Sequence, residues 1–540
     1  MESGPWVLYS LRFMSGLRQP GRALPILACV VASAAVLSAQ SGRQGDGLAD
    51  SDPRAVLELP SGDPDELLSQ GEQYELTLDG AWAIALERNL SLQVQELAAE
   101  AALFNAKGSW GAFQWNLNAS AGITDREFEN PNTLFGDSTG SENTQSFSVD
   151  FAKQLLTGGS FSAGWSTDNS RTTGQAQVFD TQTTDFLTLS LTQPLLRGAG
   201  QTFATAVQRE SEYEYQRQLE VQRSVRQLLL LDVSNAYWDL VAAREQLSVA
   251  ISNKELGLEQ AEQERLRLDA GVGTDVDVLQ ADAQVALRNE RVLFFEFQVQ
   301  TSMDRLKQLM FPGTREDLWN TVLIPVTPLP ETVTPEAAPP WTVAVRSAIE
   351  NRPELRQQRL LVDAAEVRHA RATSERLAGL DLALSARSQG FDEQPSEAFS
   401  ESFSFDFPTY SATLTYNIPI GNATARNAER AAWTNLRASR LNYDQQESDI
   451  VAEVRQSVRQ LRYQARATEA SVKSLELAQR QLEAEQARFE NDLTTTFQLL
   501  NLQQQLLDAQ SSERRSRADY ARALVSLDAS LGILGEVVRR

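Results

Sequence analysis

Apolar and polar residues alternate with a period of two in several short stretches of the chain. In residues 115–123 every second residue is apolar and most of the others are Asn or Ser. The alternation recurs in 146–153, 160–167, 185–193, 380–387 and 410–418. It predicts β-strands with one apolar and one polar face, each near the length of about 9–11 residues with which a tilted strand crosses a bilayer.

The segments between these strands are polar, and they differ in length. Residues 124–144, 169–183 and 388–409 are predicted to be long loops, and residues 155–159 a tight turn. Long loops on one side and short turns on the other are typical of outer-membrane barrels.

Elsewhere the apolar positions recur at steps of three and four, which predicts helices. One such series runs from Val225 to Ile251 and another from Val454 to Leu482. The segment from 200 to 268 contains no proline, and as a helix it would extend roughly 100 Å. Its apolar stripe is narrow and rich in Ala, which predicts helices laid side by side as in a coiled coil.

The helical and strand patterns occur twice. Residues 76–93 resemble 341–357, and an offset of 221 pairs Arg267 with Arg488 and Val233 with Val454. A segment with six prolines, 323–341, separates the copies. The predicted organisation is therefore a signal peptide, a flexible acidic lead-in, a first repeat, a proline-rich linker and a second repeat, at residues 1–39, 40–73, 74–312, 313–340 and 341–535.

The N-terminus predicts export. Three arginines precede an apolar run, 23–39, that ends in small residues, as in a secretory signal peptide cleaved near Ala39. The run is shorter than the about 20 apolar residues of a membrane-spanning helix. Lipidation of Cys29 is the alternative, but the apolar run continues for ten residues beyond that cysteine.

Composition excludes several classes of function. The chain has 72 acidic and 49 basic residues, a net charge of −23, which disfavours a nucleic-acid surface. One cysteine and one histidine exclude a disulfide framework and a Cys/His zinc cluster. We expect no enzyme activity, no cofactor and no metal site.

The predicted strands cannot close a barrel within one chain. An open sheet edge is not tolerated in lipid, and bacterial single-chain barrels have at least about eight strands. Four to six strands per chain therefore require identical chains to complete the barrel by cyclic symmetry.

The whole pattern resembles the TolC-like outer membrane efflux proteins over residues 74–535. The resemblance rests on both repeats in order, on Pro194 and Pro419 at strand ends, and on the helix-turn-helix of residues 270–281. It implies an α+β membrane protein, a homotrimer whose outer-membrane β-barrel is continued by a long periplasmic α-helical barrel.

The function that this resemblance implies is a passive exit duct in the outer-membrane lipid. Such a duct serves a tripartite efflux or type I secretion system and receives substrates from an inner-membrane transporter and a periplasmic adaptor protein. The alternative is a periplasmic coiled-coil structural or adaptor protein without a pore. An adaptor would carry one hairpin, whereas this chain has two, each preceded by amphipathic strands.

The resemblance places the turn of each helical hairpin at the periplasmic mouth, where the adaptor docks. The second copy lacks the glycine of the first, but Asn and Asp tolerate a left-handed backbone. The alternative is a pair of helix-breaking turns with no partner. The predicted docking residues are Ala270, Gly271, Val272, Gly273, Thr274, Asn491, Asp492, Leu493 and Thr494.

The resemblance also implies a constriction just beyond the turns, at Asp277 and Gln280 in the first copy and Gln498 and Asn501 in the second. The family's best-studied pattern has two carboxylates in the second copy, where this chain has amides. A charged ring would then rest on three symmetry copies of Asp277. The alternative is that Asp277 is a solvated acid at a helix N-terminus, which the helix dipole favours.

The number of strands in the trimer has two possible values. The first repeat contains an additional predicted hairpin, 146–153 and 160–167. If all six strands span the membrane, the trimer has eighteen. If the hairpin folds outside the membrane as a cap, it has twelve, which the circumference set by the helical tunnel favours.

Overall fold

The computed structural model describes residues 73–129, 139–173, 181–311, 313, 319–330, 338–489, 491 and 493–534. The predicted signal peptide and almost all of the lead-in lie outside these residues. Within them the chain forms two long helical hairpins and one six-stranded sheet.

In the described residues, the first repeat forms five strands and five α-helices, and the linker adds a sixth strand. Its elements in chain order are β1 (Gln73–Leu76), α1 (Leu78–Arg88), α2 (Leu90–Ser109), β2 (Trp115–Glu129), β3 (Thr139–Gln154), β4 (Ser160–Thr173), β5 (Thr181–Pro194), α3 (Gln201–Ala204), α4 (Ala206–Asp269), α5 (Asp275–Met310) and the linker strand β6 (Val322–Pro325).

The second repeat follows the same plan with fewer strands and one additional short helix. Its elements are α6 (Trp341–Asn351), α7 (Pro353–Glu375), β7 (Gly379–Asp392), α8 (Pro395–Ser404), β8 (Pro408–Asn417), α9 (Ala423–Phe489) and α10 (Thr496–Leu531). At 1.5 Å per residue, the 64 residues of α4 and the 67 of α9 each extend roughly 100 Å.

The break between the first two helices follows from one residue. Asn89 has an extended backbone, and its Oδ1 accepts a hydrogen bond from the Leu92 amide at 3.2 Å, so it caps α2. The second repeat breaks at Arg352, after which Pro353 begins α7, a position that proline favours. Each repeat therefore begins with a short helix that one break separates from a longer helix.

Each repeat has its own apolar core. Val233 and Val454, which the offset of 221 pairs, are both fully buried, one in each core. Helix α10 contributes Val525 to the first core and Leu527 to the second. The two repeats are therefore joined along α10.

The linker is more ordered than a spacer would be. Its strand β6 pairs in parallel with β1 and buries Leu323 in the first core. The Tyr237 hydroxyl donates to the Leu76 carbonyl at 2.9 Å and accepts from the Thr327 amide at 3.0 Å. In the described part of the proline-rich segment, residues 323–330 contain the rest of β6 and an irregular stretch but no helix, and Leu323 closes the first core.

The large sheet has the order β2-β3-β4-β5-β7-β8, and every neighbouring pair is antiparallel. The register places the alternating apolar residues of all six strands on one face. That face carries Trp115, Leu117, Ile123, Phe147, Val149, Phe151, Phe161, Trp165, Leu187, Leu189, Leu191, Leu380, Leu382, Leu384, Tyr410, Leu414 and Tyr416.

The opposite face of the sheet is polar. Serine hydroxyls on neighbouring strands are hydrogen-bonded there, Ser162 to Ser190 at 2.6 Å and Ser385 to Ser411 at 2.8 Å. The sheet is thus apolar on one side and hydrophilic on the other, as the alternation predicts.

The sheet differs in three ways from what the sequence analysis favoured. The strands of the first repeat extend into the predicted loops, because backbone pairing continues where both faces are polar and the alternation is lost. The hairpin β3–β4, for which a cap outside the membrane was preferred, lies inside the sheet, paired with β2 on one side and β5 on the other. The segment 388–409, predicted to be a loop, contains helix α8.

None of the helices within the described residues combines the length and the apolarity that a membrane-spanning helix needs.

Candidate functional site

The turn between α4 and α5 is closed by the backbone. The amides of Val272 and Gly273 both donate to the Arg267 carbonyl at 3.0 Å, which ends α4. Gly271 has a φ of +78°, in the left-handed region where a side chain is strained. The glycine therefore gives this turn its shape.

The turn between α9 and α10 uses a different set of bonds. The Leu493 amide donates to the Arg488 carbonyl at 2.9 Å, and the Asn491 side-chain amide donates to the Ala487 carbonyl at 2.6 Å. The Thr494 hydroxyl donates to the Glu485 carboxylate and ties the turn to α9. Asp492 lies outside the described residues.

The two turns lie side by side. The Arg267 guanidinium at the end of α4 lies 4.8 Å from the centre of the Phe489 ring at the end of α9, a cation–π contact. The ends of both hairpins therefore form one surface.

Large apolar side chains are exposed at both turns. Val272 is 72% exposed and its counterpart Leu493 is 68% exposed. Val276 and Phe497, related by the same offset of 221, are 60% and 67% exposed. We call Val272, Val276, Leu493 and Phe497 the tip surface. Sequence reasoning missed Val276 and Phe497, although the offset that pairs the turns also pairs them.

Asp277 is engaged at the start of its own helix. Its Oδ2 accepts from the Thr274 amide at 3.2 Å and from the Thr274 hydroxyl at 2.6 Å, while its own amide donates to the Thr274 hydroxyl at 3.3 Å. This reciprocal pair is a capping box. The carboxylate thus stabilises α5 and still lies at the helix N-terminus beside the turn.

The other predicted constriction residues are exposed in the single chain. Gln498 donates its backbone amide to the Thr495 hydroxyl at 3.3 Å, which repeats half of the arrangement at Asp277. The side chains of Gln280, Gln498 and Asn501 all face solvent. Within one chain, no hydrogen bond among the described residues joins any of these three side chains to Asp277.

Two buried glutamates lie before the turns, at positions that sequence reasoning did not single out. Glu264 and Glu485 are again separated by 221 residues, and they are 2% and 7% exposed. Glu264 accepts from the Gln260 side chain at 2.8 Å, and Glu485 pairs with Arg488 at 3.3 Å. The sequence signal that could have found them is the offset of 221, which pairs the two glutamates.

A buried arginine links the two hairpins behind the turns. Arg288 of α5 donates to the Asn253 carbonyl of α4 at 2.9 Å and to the Gln503 side chain of α10 at 3.0 Å. Burial lowers the pKa of the Arg288 guanidinium, and the charge of Arg291 lowers it further. Arg291 pairs with Asp508 of α10 at 3.5 Å, a second link between the hairpins.

The two prolines lie at the other end of the hairpins. Pro194 is the last residue of β5, and Pro419 follows β8. A proline has no amide hydrogen to donate to a strand ladder, which fits its place at or just beyond the end of a strand. The Leu195 amide still donates to the Leu380 carbonyl at 2.7 Å, which holds the junction against β7.

Within the described part of the chain, no group of three or more acidic, His or Cys side chains is arranged to hold a metal ion. The features that the structure does bring together are an amphipathic sheet at one end and exposed apolar turns at the other, joined by helices of roughly 100 Å.

Comparison with known proteins matches this architecture. Residues 83–310 and 344–533 match the sequence profile of the outer membrane efflux protein family. No curated protein sequence matches the chain.

Several solved structures have a similar fold. The outer membrane protein VceC of Vibrio cholerae matches with a TM-score of 0.62 and 15% identity, covering 84% of this chain and 96% of VceC. A membrane protein of Pseudomonas aeruginosa matches with a TM-score of 0.62 and 19% identity over 84% and 92% of the two chains. The CmeC outer membrane channel of Campylobacter jejuni matches with a TM-score of 0.61 and 14% identity over 85% and 86%.

Proposed function

Because the chain belongs to the outer membrane efflux protein family, we propose that it is the passive exit duct of a tripartite efflux or type I secretion system. It is located in the outer membrane and extends into the periplasm. Members of the family are channels and not enzymes. In this proposal an inner-membrane transporter supplies the energy, a periplasmic adaptor makes the connection, and the substrate leaves through the lumen.

The observation that carries the proposal is the two-faced sheet. Its apolar face suits contact with lipid, and its serine-rich face suits a water-filled lumen. A periplasmic coiled-coil spacer would have to expose the apolar face to water over six strands. The sheet therefore favours a duct over a structural or adaptor protein without a pore.

The two edges of the sheet support a homotrimer. Every residue of β8 is exposed, as are almost all of β2, and each strand has a neighbour on one side only. Alternate residues of the ten in β8 direct about ten backbone groups outward. Each such group costs several kcal/mol in lipid, so an unpaired edge would cost on the order of tens of kcal/mol. Pairing β8 with β2 of the next chain removes this cost.

The apolar positions are staggered along the sheet as closure into a barrel requires. Following the register from β2 to β7, Trp115 lies level with Leu384 and Ile123 with Asp392. On β7, however, the apolar residues begin at Leu380 and end at Ala386. These limits lie four (384 − 380) and six (392 − 386) residues closer to the helices than the limits of β2. The shift accumulates over the four steps from β2 to β7. Tilted strands produce such a shift. We infer a closed barrel of eighteen strands, six from each chain.

We further propose that the tip surface docks the periplasmic adaptor. Four large apolar side chains exposed at the end of a rigid scaffold are unusual for a surface that stays in water. Their repetition by the offset of 221 gives the trimer six similar turns. The predicted docking residues 270–274, 491, 493 and 494 form the turns that present them.

The proposed duct also has a constriction near its periplasmic mouth. Three copies of Asp277 would meet near the threefold axis, with the amides of Gln280, Gln498 and Asn501 around them. In the capping box the carboxylate lies at the N-terminus of α5, and three such groups at the mouth would repel anions and attract cations.

Purified full-length protein in planar lipid bilayers tests the proposed duct. We expect a trimer that resists dissociation in detergent until it is heated, and stable ion conductance with no added energy source. A water-soluble monomer without conductance would support the coiled-coil spacer instead. Co-purification of a transporter and an adaptor from the native envelope would identify the system that the duct serves.

A further inference from the structure

Helix α8 lies on the apolar face of the sheet, near its loop end. A Cβ on Gly390 of β7 would overlap the Ala398 carbonyl and the Ser402 amide of α8. The Trp165 ring of β4 lies 5.4 Å from the Phe399 ring, centre to centre, in an edge-on arrangement. Gly390 and Trp165 are both apolar-face positions, so the helix lies on the side that contacts lipid in the proposed barrel.

The helix covers the place where the apolar face becomes polar. Beyond Leu187 and Ala386, the next positions on that face are Asp185 and Ser388, which are fully buried. The Trp165 indole donates to Asp185 at 3.3 Å. If α8 moved away, these polar groups would face lipid. The helix therefore marks the upper limit of the apolar band.

The two flanks of α8 differ in chemistry. At about 100° per residue, Phe399 and Phe403 lie on one flank, and Glu397 and Glu401 lie on the other. The Glu401 carboxylate accepts from the Phe391 amide at 2.8 Å, near the loop end of β7. The phenylalanine flank is thus directed toward the apolar band and the acidic flank toward the outside.

The phenylalanines continue the apolar band without a gap. The rings of Phe147 and Trp165 lie 5.8 Å apart, those of Trp165 and Phe399 5.4 Å, and those of Phe399 and Phe403 4.7 Å. Phe399, Phe403 and Phe407 nevertheless remain 46%, 49% and 67% exposed. Whatever contacts the apolar band of the sheet must therefore also contact these three phenylalanine rings.

The composition of this segment indicates acyl chains as the partner. Four of the 22 phenylalanines lie within residues 399–407, and no Lys or Arg lies between residues 388 and 425. Phe405 ends α8 with a φ of +60°, where glycine is normally preferred. The aromatic residue is kept there at a cost of about 1 kcal/mol. The segment itself therefore offers no basic side chain to anionic headgroups, and its contact with lipid rests on the phenylalanines.

We propose that α8 is an interfacial helix that places Phe399, Phe403 and Phe407 among the lipid acyl chains of the outer leaflet. Amphipathic helices of this kind lie in the membrane plane with the apolar side buried about 5–10 Å. The inference rests on the proposed barrel, whose apolar face supplies the continuous lipid contact. It assigns a lipid contact to a segment outside the strands.

Nitroxide labels on single cysteines test the inference in trimers reconstituted into phospholipid vesicles. Cys29 is the only native cysteine and is replaced by Ser, so each label is unique. The labelled variants are Phe403→Cys on the apolar flank, Glu397→Cys on the acidic flank and Leu414→Cys on the apolar face of β8. Collisions with oxygen, which concentrates in lipid, are compared with collisions with a water-soluble nickel chelate.

We expect oxygen to dominate at residues 403 and 414 and the chelate to dominate at residue 397. Dominance of the chelate at 403, with oxygen still dominant at 414, would refute the lipid contact and leave the barrel intact. A label at 403 that neither reagent reaches would show that protein covers the helix, which also refutes it. Dominance of the chelate at 414 would contradict the barrel itself, and the inference with it.

Discussion

Replacing Val149 with arginine is expected to destabilise the trimer strongly, because Val149 lies at the centre of the apolar face of β3. Its neighbours on that strand face are Phe147 and Phe151, and across the ladders it pairs with Ala119 and Trp165. The change therefore tests directly whether the hairpin β3–β4 crosses the membrane.

The magnitude follows from the depth of this position. An arginine on the lipid face of a barrel costs about 2–4 kcal/mol at the bilayer midplane and about 0–1 kcal/mol near the interfaces. Val149 has one apolar-face residue on each side within the strand, so the midplane value applies. Three copies per trimer give roughly 6–12 kcal/mol, which is comparable to the whole stability of many domains.

The matched control is Ala152→Arg on the same strand. Ala152 faces the polar side, where it pairs with Asn116 and Ser162. An arginine there would lie in the lumen and should cost at most about 1 kcal/mol per chain. Leu189→Arg on β5 is the positive control, since β5 belongs to the barrel whether it has twelve or eighteen strands.

Unfolding of reconstituted trimers by guanidinium, followed by tryptophan fluorescence, measures all three variants. We expect Val149→Arg and Leu189→Arg to shift the midpoint down by similar amounts and Ala152→Arg to shift it little. If Val149→Arg behaves like Ala152→Arg while Leu189→Arg is strongly destabilised, the hairpin does not span the bilayer and the eighteen-stranded barrel is wrong.

Three further predictions concern the helices. Gly271→Val should strain the turn by about 1–3 kcal/mol and weaken adaptor binding without preventing trimer assembly. Gly271→Asn should have a smaller effect. Normal adaptor binding by the Val variant would contradict the docking assignment. Asp277→Asn should reduce block of the conductance by divalent cations, and unchanged block would place the constriction elsewhere. Burial raises the pKa of Asp528, so the folded chain holds its proton more tightly than the unfolded chain, and stability falls as pH rises from about 4 through the raised pKa. Asp528→Asn should remove that decline and be more stable than the native chain at pH 7 in urea titrations, and a variant that keeps the decline would show that another group causes it.

Much of the fold could be predicted because two periods repeat over long distances. The offset of 221 that pairs Val233 with Val454 identifies equivalent buried positions in two separate cores. The period of two identifies the apolar face of every strand. Both signals depend on burial or lipid contact, which constrains every second or every third to fourth residue along the element.

Other features carry no such signal. The upper parts of the strands have two polar faces, so only backbone pairing defines them. Helix α8 has ten residues, and it could not be told from a loop because its position depends on contacts with Trp165 and Gly390, far away in sequence. At the turns, by contrast, the sequence predicted the left-handed Gly271. The spacing of Thr274 and Asp277 is also that of a capping box, a sequence signal that was missed.

The proposed eighteen-stranded barrel, which the sequence analysis did not favour, can be compared in length with the helical tunnel. Strands lie about 4.8 Å apart, and a tilt of about 40° widens each to about 6 Å around a barrel. Eighteen strands then give a circumference of roughly 110 Å, whereas twelve give roughly 75 Å. The proposed trimer has twelve long helices, four from each chain, and helices pack about 8–10 Å apart, which gives roughly 100–120 Å for the tunnel. The tunnel therefore matches the proposed wider barrel, in which the additional hairpin of the first repeat would supply the strands that make the two circumferences equal.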